Sequence, residues 1–97
     1  MTGPSSSQLT DRIAMIAELV ARIMRDPSVA TRITADTDLL DEIGMDSLDV
    51  TELVLSIEDD LEYEIPLGEL SAATFRSVAE LAKMTFRQSA PSGLTPA

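Results

Sequence analysis

The chain has 97 residues, 44% of them apolar, a net charge of -10, and neither cysteine nor histidine. That length supports one small core, and the missing residue types exclude disulfides, Cys/His metal centres and the usual bases and thiols of nucleophilic catalysis. Thirteen of the 17 acids fall between Arg32 and Arg76, a stretch without a single base, which argues against nucleic acid and for basic protein partners.

No apolar run approaches the ~18 residues that span a membrane, and Met1–Ser7 lacks the apolar centre of a signal peptide. The expectation is a cytoplasmic monomer with no membrane insertion. Aromatics are limited to Tyr63, Phe75 and Phe86, so the core must be built from Leu, Ile, Val, Met and Ala, as in small helical bundles.

Residues 1–8, rich in Ser with Gly3 and Pro4, read as a disordered tail. The folded domain is expected over 9–87. Leu9, Ile13, Ile16, Val20, Ile23 and Met24 recur at helical spacing, which predicts a first helix over 9–25 with Thr10 as a cap and Asp26-Pro27 as its stop. Residues 28–38 form a polar connection longer than packed helices usually need, anchored by Val29 and Ile33. Leu39 to Ile43 predicts a short helical turn with Leu40 and Ile43 on one side. Asp36 and Asp38 suggest a calcium loop, but Asp41 stands where the obligatory glycine would be.

Gly44-Met45-Asp46-Ser47-Leu48-Asp49 follows. Gly44 frees the backbone to turn, Asp46 can accept from the first-turn amides, and Asp49 completes a capping-box pattern. A second helix is therefore predicted over 47–61, with Ser47 exposed at the positive end of its dipole, where a phosphate group would be stabilised. Val50, Leu53, Val54, Ile57 and Leu61 share the inward arc. Leu48, Glu52, Leu55 and Asp59 lie opposite, flanked by Thr51 and Glu62; two leucines among carboxylates beside the serine predict a docking surface. Ile65-Pro66 leads away, 67–71 allows a short third helix, and Thr74 is the expected cap of a last helix over 75–86 that buries Phe75, Val78, Ala79, Leu81 and Ala82. Residues 88–97 read as a disordered tail. The expected fold is all-α: a small four-helix bundle of three longer helices and one short helix.

Asp46-Ser47-Leu48-Asp49-Val50-Thr51-Glu52-Leu53-Val54 resembles the acyl carrier proteins, whose Asp-Ser-Leu serine carries a 4'-phosphopantetheine arm. Helix order agrees with that resemblance, and Glu64-Ile65-Pro66 falls where fatty-acid carriers place Glu-Ile-Pro. The resemblance implies a non-enzyme in which a phosphopantetheinyl transferase loads Ser47 from coenzyme A, with Asp46 as cap and motif residue. The arm would hold acyl cargo as a thioester and deliver it to acyl-loading, condensing and modifying enzymes with basic docking patches. It further implies that Leu48, Thr51, Glu52 and Leu55 are recognition positions; the charge pattern independently makes Asp46, Asp49, Glu52, Glu58, Asp59 and Asp60 the acids expected to steer basic partners.

Thr51 replaces the aliphatic residue usual in fatty-acid carriers, so fatty-acid and polyketide pathways both stay open. Peptidyl carriers usually have a Gly-rich stretch before the serine, whereas Met45-Asp46 stands here, which favours acyl over aminoacyl cargo. The two ends, read as tails, favour a free-standing carrier. A serine hydrolase is opposed by the missing histidine and by the absence of glycine after Ser47. The remaining alternative is an acidic helical adaptor without a prosthetic group, binding through Leu48 and Leu55.

Overall fold

The computed structural model describes residues 4–62, 64–65, 68 and 70–86. Among them the chain is all-helical, with five segments: α1 (Ser6–Met24), α2 (Val29–Arg32), α3 (Ser47–Leu61), α4 (Ala72–Phe75) and α5 (Val78–Met84). α1 packs against α2, α3 and α5, and α4 against α5. The helical fold class stands, but the expected single last helix is two segments and the long connection holds a helical turn. No helix among the described residues is long and apolar enough to cross a membrane.

α1 starts at Ser6, not Leu9, because Ser5 rather than Thr10 is its cap. The Ser5 hydroxyl accepts from the Gln8 amide at 3.1 Å while the Gln8 side chain accepts from the Ser5 amide at 2.8 Å, a reciprocal box that satisfies two first-turn donors. Three residues assigned to a tail are thereby helical. At the other end Arg25 is left-handed (φ 59), and the Asp26 amide reaches back to the Ala21 carbonyl at 3.0 Å. This closing motif, more often built on glycine, terminates the helix ahead of Pro27.

The core forms where α1, α3 and α5 converge. Ile16, Val20, Leu53, Ile57, Val78 and Leu81 are completely buried, as the helical spacing predicts. Val29 and Ile33 are buried anchors as expected, and so are Leu39, Met45 and Ile65. Val50 and Leu61 are half-buried and pack against this core. Arg12 ties α1 to the end of α5, donating to the Thr85 hydroxyl at 2.6 Å and lying 3.9 Å from the centre of the Phe86 ring.

The last helix is interrupted because another segment supplies hydrogen-bond partners. The Val78 and Ala79 amides, orphans at the start of α5, donate to the carbonyls of Thr37 and Ala35 at 3.1 and 2.8 Å. Ser77 is extended, and its hydroxyl accepts from Glu80 while donating to Ala35. Ser77, not Thr74, therefore caps the final helix. Thr74 lies inside α4, where its hydroxyl accepts from the Ser71 amide at 3.2 Å. Residues 39–42 form the expected turn, closed by the Glu42 amide on the Asp38 carbonyl at 2.8 Å. Of the expected third helix at 67–71, residues 70 and 71 are not helical and residues 67 and 69 lie outside the described residues, as do Tyr63 and the tail 88–97.

Candidate functional site

Three residues deliver the chain to α3. Gly44 has φ +85, a conformation that costs an L side chain about 1–2 kcal/mol. Met45 is buried and donates its amide to the Leu39 carbonyl at 3.0 Å, which fixes the approach. Asp46 is extended and is the N-cap: its carboxylate accepts from the Asp49 amide at 2.9 Å, and the Asp49 carboxylate accepts from the Asp46 amide at 3.4 Å. Val50 closes the first intrahelical bond to the Asp46 carbonyl at 2.9 Å. The Ser47 and Leu48 amides are the first-turn donors that these bonds leave over, and Ser47 is exposed at the first position of the helix.

The outward face of α3 is as the spacing predicts. Leu48 is 74% exposed and Leu55 59%, the large apolar side chains that stand in solvent among the described residues. Thr51, Glu52 and Asp59 are exposed beside them, and Asp49 is half-buried by its place in the cap. The Thr51 hydroxyl donates to the Ser47 carbonyl at 2.8 Å. Glu58 differs from its neighbours: it is half-buried, and its carboxylate accepts from the Ile65 amide at 2.9 Å. It holds the chain as it leaves α3, so its charge is partly committed within the fold.

The last turn of α3 carries no base, while Glu58, Asp59 and Asp60 crowd the negative end of the dipole. Each such charge costs about 0.3–1 kcal/mol at low ionic strength. Burial of Leu53, Val54 and Ile57 offsets that cost.

Ser47 is part of the lining of an open groove of about 460 Å³, together with Leu40, Val50, Thr51, Leu70, Ser71, Ala72 and Phe75. Sequence reading did not assemble it, since its walls converge from three segments and no spacing links them. It assigned Val50 and Phe75 to the core, and both also line the groove. Asp38, weighed only as a calcium ligand, instead organises the turn ahead of Gly44, accepting from the Leu40 and Asp41 amides at 2.9 Å each. An aspartate opening a turn was the local signal for that role.

Ser47 thus stands exposed at the first position of α3, next to the acidic outer face of that helix and among the residues that line the open groove. The profile described as "Phosphopantetheine attachment site" matches residues 14–84, and the chain belongs to this family, that of the acyl carrier proteins. It is 32% identical to aminoacyl carrier protein 1 of Bradyrhizobium diazoefficiens, over 84% of this chain and 90% of that one. It is 32% identical to the mitochondrial acyl carrier protein of Saccharomyces cerevisiae, over 78% of this chain and 58% of that one. A match to the acyl carrier protein of Clostridium perfringens is 39% identical over 50% of this chain and 62% of that one. No solved structure matches.

The chain is thus a carrier rather than a catalyst, and its expected prosthetic group is 4'-phosphopantetheine. The residues present fit that group. A phosphodiester needs an accessible hydroxyl and compensation for one negative charge, and the head of α3 offers the Ser47 hydroxyl with the Ser47 and Leu48 amides beside it.

Proposed function

We propose that Ser47 carries the 4'-phosphopantetheine arm and that the chain delivers acyl intermediates to enzymes of fatty-acid, polyketide or related biosynthesis. The observation that carries this reading is the exposed hydroxyl at the first residue of a capped, 15-residue acidic helix inside the matched family region. Loading proceeds by attack of Ser47 Oγ on the phosphorus of coenzyme A that bears pantetheine. A new P–O bond forms, the bond to the leaving adenosine bisphosphate breaks, and the Oγ proton passes to a base of the transferase. When bound, the arm supplies a thiol that holds the acyl group as a thioester.

The chain's own residues position and steer. Asp46 is engaged with the Asp49 amide, so its role is to hold the helix start and keep Ser47 at the surface. The free amides and helix dipole favour the new phosphodiester by about 0.3–1 kcal/mol. Leu48, Thr51 and Leu55 offer contact area to a partner, while Asp49, Glu52 and Asp59 attract basic docking patches and release them at cellular ionic strength. Glu58 adds charge to that field from a half-buried position.

Aminoacyl cargo is a second reading, supported by similarity across nearly the whole length of a protein named as an aminoacyl carrier. The test is intact mass after incubation with coenzyme A, magnesium and a broad-specificity phosphopantetheinyl transferase, beside a Ser47→Ala control. One arm added to the parent and none to the variant is expected. A folded parent that takes up no arm would turn the reading toward an acidic helical adaptor.

A further inference from the structure

One side chain organises the segment that leads to Ser47. Asp38 shapes the 39–42 turn with Oδ1, which accepts from Leu40 and Asp41, and its carbonyl accepts from Glu42 at 2.8 Å. Its other carboxylate oxygen accepts from Arg76 Nη1 at 3.1 Å, across 38 residues of chain. The backbone runs the same way. The Leu39 amide donates to the Phe75 carbonyl at 2.9 Å, and the Leu39 carbonyl accepts from Met45 at 3.0 Å.

Both ends of this connection belong to the open groove. Leu40, whose amide Asp38 holds, and Phe75, the neighbour of Arg76, both line it, as does Ser47 itself. We propose that the Asp38–Arg76 ion pair is a positioning clasp that sets the Leu40 and Phe75 segments of the groove, and with them Ser47, for transfer of the phosphopantetheine group to the Ser47 hydroxyl. This rests on the reading of Ser47 as the attachment residue. The pair acts through the turn and is separate from the Leu48–Leu55 face.

Solvent exposure separates this role from a purely structural one. The Arg76 side chain is 57% exposed and that of Asp38 18%, so the pair adds little to folding stability: without it the turn still forms, but the Leu39–Met45 bond that it steadies opens more often. Reaction rate is far more sensitive to geometry than stability is to an exposed pair: displacement by about 1 Å can lower turnover by up to about 10²-fold.

The test is steady-state loading of the full chain with coenzyme A, magnesium and the transferase, read by intact mass, with the melting temperature and amide hydrogen exchange measured alongside. Arg76→Gln is expected to lower kcat about five- to tenfold, to leave KM within about twofold because the docking face is unchanged, and to shift the melting temperature by about 5 °C or less. Exchange at the Met45 amide should quicken. Arg76→Lys should restore most of kcat, since only one guanidinium nitrogen makes the contact. Asp38→Asn keeps an oxygen for the turn amides and removes the charge, so it should match Arg76→Gln, and the double variant should be no worse than either. Unchanged kcat in Arg76→Gln, a rise in KM alone, or additive losses in the double variant would overturn the clasp. Normal loading of the parent with none for Ser47→Ala keeps those failures separate from failure of the attachment reading. A parent that takes up no arm removes both.

Discussion

Replacing Asp46 with Ala tests whether the helix that presents Ser47 is held by its cap. The variant loses the acceptor of the Asp49 amide at 2.9 Å and leaves that donor bare beside the Ser47 and Leu48 amides. Loss of an aspartate cap costs about 0.5–2 kcal/mol, typically ~1. It also removes one negative charge from a chain of net charge -10, which works in the opposite direction. Asp46→Asn separates the two, because it loses the same charge and keeps a side-chain oxygen. The difference between Ala and Asn variants therefore isolates the hydrogen bond, and should be close to ~1 kcal/mol. In a domain of this size that corresponds to a melting temperature about 4–8 °C lower for Ala than for Asn, followed by circular dichroism at 222 nm. Equal melting of the two variants would show that the hydrogen bond does not hold the helix start.

Further outcomes follow from particular residues. Gly44→Ala should destabilise by about 1–2 kcal/mol through backbone strain alone, since a Cβ there meets nothing within 4 Å. Arg25→Gly should stabilise by about 1 kcal/mol by relieving the left-handed cap of α1; urea titration checks both, and a reversal of either sign refutes the strain argument. Glu52→Lys should weaken docking to a basic partner enzyme at low salt while leaving the melting temperature nearly unchanged, and identical binding curves would remove the steering role.

The Asp26 carboxyl is held below its ordinary value of 3.8 chiefly by the Ser28 hydroxyl and amide, at 2.7 and 3.1 Å, with a smaller contribution from Arg32 at 3.9 Å. A depressed folded value means that the unfolded chain binds the proton more readily. The corner after α1 is thus stabilised at neutral pH and loses that support as pH falls through the folded value. Carboxyl titration by NMR should show the Asp26 midpoint rising in Ser28→Ala; an unmoved midpoint would remove Ser28 as the cause.

The head of α3 was legible in the sequence because its interactions are local. Asp46 caps an amide three residues away, Gly44 turns two residues before it, and the inward arc from Val50 to Leu61 is a matter of helical period. Backbone geometry alone brings such residues together, so spacing reveals them. The outward leucines followed from the same period, since what is not in the arc must face water.

The last helix was not legible, because its interruption depends on partners about forty residues away. Thr74 and Ser77 are comparable caps by residue type, and the amides of Val78 and Ala79 could have continued a helix from Phe75. Carbonyls of Ala35 and Thr37 meet those amides instead, and Ser77 becomes the cap. The Asp38–Arg76 pair and the groove lined by Leu40 and Phe75 arise from the same docking of the long connection against the α4–α5 corner. Hydrogen bonds across such a distance leave no period in a sequence, since either segment alone can satisfy its groups with water. They form once burial of Leu39, Phe75 and Val78 brings the segments together.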